Sequence, residues 1–284
     1  IFNNSSLNFK LGSVASNKTS ARGKIKDEKD DLKNYSANIN YEKYFNNLRF
    51  YNTTYLRQTK AEYDNSSSDQ FGYEGDNKMG SFQLGLENFN QEDKSNYILY
   101  YNIYDRKYDE KGTIDKYESE VVGLKYDFSK TIFQNISFGI GSEYKYDWGY
   151  FDNKGSYQSS TKGNSDNLGL YGNLGLNISN SSNISLFTRS DKHSQTGLNN
   201  SFKINFEKDY KMFNNGIAYM TGLRNPTLFE LFGSDNYGYS GNKNLKAEKS
   251  NTREIYSNIN LTPKTIFSLR AYATSIEDNI EYIN

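Results

Sequence analysis

Between Ile136 and Trp148 apolar and polar residues take turns along the chain. Ile136, Phe138, Ile140, Tyr144, Tyr146 and Trp148 share one side, with Ser142 interrupting, and Ser137, Gly139, Gly141, Glu143, Lys145 and Asp147 share the other. Neighbouring side chains of a strand point to opposite faces, so this is a strand with one apolar face. The pattern returns in Phe82–Leu84–Leu86, Val122–Leu124–Tyr126–Phe128, Leu168–Leu170–Leu174–Leu176–Ile178 and Phe267–Leu269–Ala271–Ala273. It predicts thirteen strands, near 3–12, 35–44, 47–60, 79–89, 95–107, 115–128, 133–150, 166–178, 183–192, 197–208, 210–224, 250–261 and 264–278. Short connections (Lys43–Asn46, Asn90–Lys94, Ser129–Ile132, Ser179–Ser182, Glu207–Lys211, Leu261–Lys264) alternate with longer ones (Ser13–Asn34, Ala61–Lys78, Tyr108–Ile114, Phe151–Ser165, Asp191–Thr196, Asn225–Lys249). A soluble sandwich has no reason to sort its loops this way. An antiparallel membrane barrel does, with tight turns on one rim and loops on the other.

Composition narrows the function. The 34 basic and 34 acidic residues cancel, which gives no basic surface for nucleic acid. There is no cysteine and one histidine, His193, so thiolate sites, disulfides and multi-histidine metal sites are excluded. His193 falls in an expected loop, where a lone histidine is ordinarily exposed. No Gly-x-Ser-x-Gly elbow, paired glycosidase carboxylates or phosphate loop occurs, so no enzyme is expected. The mean hydropathy of −0.89 looks soluble, but barrel strands alternate, and their mean stays low even when one face meets lipid. The first residues show no charged start followed by an apolar stretch.

One stretch is far more specific. After the strand-like run Ile217–Thr221 comes Arg224-Asn225-Pro226-Thr227-Leu228-Phe229-Glu230-Leu231-Phe232-Gly233, then Gly241-Asn242-Lys243-Asn244-Leu245-Lys246-Ala247-Glu248-Lys249-Ser250. Pro226 pushes the residue before it out of the helical region, which ends the strand and opens the loop. The two runs resemble the "R-x-P-T-L-x-E-L-F/Y-G" and "G-N-x-N-L-K-P-E-K-S" signature of TonB-dependent outer-membrane receptors, with Ala247 where that family usually has proline. Within the family the stretch is most similar to the vitamin B12 (cobalamin) receptor branch. Arg189-Ser190-Asp191-Lys192-His193-Ser194 resembles an "R-x-D-x-H-S-x-F-G" run one hairpin earlier, with Thr196 where an aromatic is usual. Ser275 to Tyr282 resembles the following "x-D-x-I-x-Y" strand.

The resemblance implies an all-β antiparallel transmembrane barrel. It also implies that residues 1–284 form a single barrel domain, a partial one of thirteen strands out of about 22. Plug and C-terminal strands would lie outside it, and the sheet would be open, with two free edges. The resemblance also implies location in the cell outer membrane among its lipids, and energised import of a large scarce nutrient such as cobalamin. The TonB complex would act through the absent plug. A ferric siderophore is the alternative ligand within the family; a soluble extracellular β-protein for glycan binding or adhesion, and a passive porin, are alternatives outside it.

Candidate site residues follow. Arg224, Pro226, Glu230, Gly233, Asn242, Leu245, Glu248 and Lys249 carry the signature, and either touch ligand or fix the loop. Tyr237 and Tyr239 are candidates for touching substrate, since tyrosine offers a broad apolar face and one hydroxyl at low entropic cost; they could equally be rim aromatics. The charge cluster Lys24–Asp31 reads as a solvated loop. The resemblance adds a second reading, calcium held by Glu28 and Asp30, since hard oxygen ligands suit Ca²⁺.

Overall fold

The structure is a computed structural model that describes residues 4–19, 30–64, 72–90, 93–235 and 238–282. The described residues form one antiparallel sheet of thirteen strands, each hydrogen-bonded to its neighbours in sequence. They are β1 (Ser5–Thr19), β2 (Asp30–Phe45), β3 (Leu48–Glu62), β4 (Tyr73–Phe89), β5 (Asp93–Glu110), β6 (Thr113–Phe133) and β7 (Ile136–Asn153). After them come β8 (Ser159–Ser179), β9 (Ser182–His193), β10 (Gly197–Asp209), β11 (Phe213–Arg224), β12 (Glu248–Thr262) and β13 (Thr265–Glu277). Among the described residues one short helix, α1 (Leu228–Phe232), lies between β11 and β12. Among the described residues the order does not close: β1 pairs only with β2, and β13 only with β12. The expected strand number, order and open edges are all present.

Differences lie at the long-loop rim. β8 begins at Ser159 rather than near 166, β4 at Tyr73 rather than near 79, and β1 runs on to Thr19. A bilayer needs only about 9–11 tilted residues per strand. Beyond it neither face meets lipid, so alternation stops while backbone pairing continues. The expected loop at Tyr108–Ile114 is a two-residue turn. Lys111 (φ 54°) and Gly112 (φ 91°) both adopt the left-handed region that a tight hairpin requires, and Asp109 Oδ1 accepts the Gly112 N–H at 2.8 Å.

The two faces differ as alternation demands. Leu7, Leu124, Ile140 and Leu269 on the apolar face are 69, 57, 54 and 62% exposed, and among the described residues no second layer covers them. Among the described residues only Phe151, Ala218, Leu231 and Ala247 are buried hydrophobics. A sheet that keeps its large apolar side chains uncovered is built for a non-aqueous solvent, which disfavours the soluble reading. The other face is lined with paired charges: Arg49 with Glu87 at 2.8 Å, Lys125 with Asp127 at 3.0 Å, and Arg189 with Glu143 at 3.2 Å and Asp191 at 2.8 Å.

One device recurs on this polar face. A tyrosine lies over the glycine directly opposite it and reaches a polar group on the next strand. Tyr100 crosses Gly123 to donate to Glu143 at 3.1 Å; Tyr171 crosses Gly141 to donate to Asp127. A Cβ on Gly123 would come within 2.2 Å of the Tyr100 ring, and one on Gly141 within 2.3 Å of Tyr171, so only glycine lets the ring lie flat. Tyr51 over Gly85 and Tyr256 over Gly216 repeat the arrangement.

Candidate functional site

The signature stretch does not stay with its own strands. It folds across the polar face onto the ends of β7 and β8. Pro226 is buried at its start. Thr227 caps α1: its hydroxyl accepts from Glu230 N at 3.2 Å, while the Glu230 carboxylate accepts from Thr227 N at 2.7 Å. Two orphan donors of a one-turn helix are thereby satisfied by two side chains. Thr227-x-x-Glu230 is a capping box legible in the sequence, and it was the signal for a helix where a plain loop was expected.

Arg224, the last residue of β11, holds the helix to the strands. Its Nη1 lies 3.0 Å from each Glu230 oxygen, and its Nε donates to Glu248 at the start of β12. Burial pushes the Glu230 carboxyl up, but the hydrogen bonds from Thr227 and Arg224 outweigh it and leave the group below the usual glutamate range. The two halves of the signature then lock together. Gly241 N–H donates to Gly233 O at 2.8 Å and Asn242 N–H to Glu230 O at 2.9 Å. A Cβ on Gly241 would stand 2.7 Å from the α1 backbone, and one on Gly233 2.5 Å from Phe229 O, which accounts for glycine at both positions. Asn242 Oδ1 caps the following turn by accepting from Asn244 N at 2.9 Å, and Leu245 N–H donates to Asn242 O at 3.3 Å. Lys249 takes no part: it sits on the opposite face, paired in register with Leu223 and Glu277.

The seat of α1 is made of small residues. Gly149 of β7 and Gly163 of β8 pair directly, and Leu228 and Phe232 lie over them. Leu231 is fully buried. Thr161 Oγ1 donates to Phe232 O at 2.6 Å. Asn153, 1% exposed, joins three elements: its Oδ1 accepts from Tyr117 of β6 at 2.7 Å, and its Nδ2 donates to Ser234 Oγ at 2.9 Å and to the Ser234 carbonyl. Ser159 Oγ hydrogen-bonds Ser234 Oγ as well.

This docking completes a run of aromatic rings along the rim. Consecutive centroid separations are 5.8 Å for Tyr73–Tyr63, 6.1 Å for Tyr63–Tyr108, 6.2 Å for Tyr108–Tyr117 and 6.4 Å for Tyr117–Phe151. Phe151–Phe229 follows at 5.5 Å, then Phe229–Tyr239 and Tyr239–Tyr282 at 5.1 Å each. Arg106 is set between Tyr104 and Tyr108, 5.2 and 5.6 Å from their ring centres; its Nε donates to Asn77 Oδ1 at 3.1 Å, and no carboxylate pairs with it among the described residues. Two cavities flank the Phe151–Phe229 pair. One of about 390 Å³ is lined by Tyr104, Arg106, Tyr108 and Tyr117, the other of about 380 Å³ by Lys145, Asp147, Asn167, His193 and Thr227.

Of the expected ligand-side tyrosines, Tyr239 stacks on Phe229, its rings 13° from parallel, and burial pushes its hydroxyl up to about 12. Tyr237 and Glu28 lie outside the described residues. Asp30 opens β2, opposite Thr19, and the described residues hold no cluster of three or more metal-ligating side chains. His193 is not an exposed loop residue. It is 6% exposed at the end of β9, and its Nδ1 accepts from the N–H groups of Gln195 at 3.2 Å and Thr196 at 3.4 Å. The aromatic wall of Tyr104, Tyr108, Tyr117 and Phe151 was missed in the sequence, because these rings stand on the polar face, where alternation gives them no distinction.

The family model described as TonB dependent receptor-like, beta-barrel matches residues 3–284. No curated protein matches in sequence. Among solved structures, the siderophore receptor PirA from Acinetobacter baumannii superposes with a TM-score of 0.79 at 15% identity, over 96% of this chain and 48% of that one. The ferric-catecholate import receptor Fiu from Escherichia coli K12 gives 0.76 at 12% identity, over 98% and 55%. The Serratia marcescens hemophore receptor HasR gives 0.76 at 11%, over 96% and 50%. At these identities the likeness speaks for the fold, and the chain spans about half the length of these receptors. The uncovered apolar face, the paired-charge face, the alternating rims and the signature loop docked within one rim thus meet in a single assignment: this chain belongs to the TonB-dependent receptor-like β-barrel family of the outer membrane.

Proposed function

We propose that the receptor containing this chain captures a large, scarce, metal-bearing nutrient at its extracellular rim and imports it with energy delivered by TonB through a plug domain. The observation that carries this reading is the continuous aromatic wall at the long-loop rim, completed by α1 and flanked by two cavities. Flat aromatic rings bind extended apolar faces with little entropic loss. The similarity of Arg224–Ser250 to the cobalamin branch supports a corrinoid as the ligand, with Glu28 and Asp30 as calcium ligands in that reading.

A ferric siderophore is the second reading, and Arg106 favours it. A guanidinium stacked between two tyrosines, with no carboxylate paired to it among the described residues, suits an anionic ligand. The solved structures named for siderophore receptors are consistent with it. The test is equilibrium binding to the full-length receptor in detergent, with cyanocobalamin and ferric catecholate chelates as probes and calcium present or chelated. Tight binding of one probe, lost in Phe229→Ala, supports uptake and selects the ligand. Failure of both classes to bind a folded receptor refutes the reading.

A further inference from the structure

The lipid-facing surface of β10–β13 carries one polar interruption close to the short-turn, periplasmic rim. Lys208, Asn215 and Ser257 stand side by side in register across β10, β11 and β12. The next row toward the membrane centre is Phe206, Ile217, Ile255 and Ala271; the row toward the turns is Phe213, Ile259 and Phe267. The polar row therefore lies inside the apolar band, one step in from its aromatic edge. A groove of about 410 Å³ opens over it.

None of these three side chains has a hydrogen-bond or ion-pair partner among the described residues. The Lys208 ammonium rests 5.3 Å from the Tyr210 ring centre. The neighbouring acids are committed elsewhere: Glu207 lies on the other face and accepts from Tyr256, Asn183 and Asn205, and Asp209 accepts from Asn214. An ammonium, an amide and a hydroxyl left unpaired against hydrocarbon are costly, so a partner from the bilayer must complete them. That partner must bring anionic oxygens at headgroup depth and an apolar chain to fill the groove.

We propose that this notch binds a glycerophospholipid of the periplasmic leaflet. Its phosphate accepts from Lys208 Nζ, Asn215 Nδ2 and Ser257 Oγ, and one acyl chain lies along Ile217, Ile255 and Ala271. The proposal rests on the outer-membrane location and is independent of which nutrient is carried. Lys43 supplies an internal control. It also faces lipid near this rim, 4.7 Å from the Phe45 ring, but its registered neighbours are Ser5 and Phe50, with no amide beside it.

The experiment is native mass spectrometry of the full-length receptor released from nanodiscs of phosphatidylethanolamine and phosphatidylglycerol. Diacylglycerol serves as the phosphate-free probe, and folding is checked by heat-modifiable gel migration. The wild type should retain one phospholipid and no diacylglycerol. K208Q should lower retention about tenfold, the size expected for losing a charge-assisted hydrogen bond. N215L should weaken it less, K208R should keep it, and K43Q should leave it unchanged. Equal retention by wild type and folded K208Q, retention of diacylglycerol like phospholipid, or an equal loss in K43Q would each overturn the assignment.

Discussion

Replacing Gly163 by alanine would place a methyl group 2.1 Å from Cδ2 and 2.5 Å from Cγ of Phe232. These are the near atoms of the ring, so turning the ring about χ2 cannot clear them. The Phe232 backbone is itself fixed by the Thr161 hydrogen bond at 2.6 Å, and Lys243 Nζ lies over the ring, 5.6 Å from its centre. The helix must therefore lift from β8 as a unit. Overpacking of this kind costs about 1–3 kcal/mol, which raises the undocked population about 5- to 150-fold. Lys243 and Lys246 are exposed in the same segment, so limited trypsinolysis of the folded receptor reads that population directly. Cleavage after these lysines should accelerate within that range, and ligand affinity should fall with it, because Phe229 and Tyr239 leave the aromatic wall. Gly172→Ala, in the same strand, is the control: its methyl would meet only Gly139 O at 3.5 Å, an ordinary contact. If Gly163→Ala is cleaved no faster than Gly172→Ala, the seat of α1 on β7 and β8 is not what holds the signature loop.

Two further outcomes follow from the same geometry. Asn153→Leu removes the partner of Tyr117, Ser234 and Ser159 at a nearly closed site; with about 1–3 kcal/mol per orphaned buried group, tryptic release of the loop should increase by at least about tenfold. Glu230 has a folded value below its unfolded one, so its contribution is complete above the unfolded value and is lost as pH falls through the folded one. Loop cleavage by an acid-active protease should therefore rise in the wild type as pH falls below the ordinary glutamate range, and Glu230→Gln should release the loop at neutral pH and flatten that dependence.

Much of this protein was written in the local pattern of its residues. Alternation from Ile136 to Trp148 and its repeats determined thirteen strands, their order, and which face meets lipid, because side-chain direction in a strand depends only on position parity. The sorting of short turns from longer connections determined the two rims, and Arg224–Ser250 pointed to the family. Even α1 was announced by Thr227 and Glu230.

The tertiary structure alone decided where that helix goes. Nothing near Gly149 and Gly163 in sequence says that Leu228 and Phe232 will cover them, and Asn153 is 81 residues from the serine it holds. The aromatic wall is likewise assembled from the residue after β3, from β4 to β7, from the signature loop and from the segment after β13, so no window of sequence contains it. The lipid-facing row of Lys208, Asn215 and Ser257 exists only through strand register. Period and capping are properties of neighbouring residues and survive in a linear reading. Docking, ring contacts and register neighbours are properties of distant residues, and they arise only when the sheet brings those residues together.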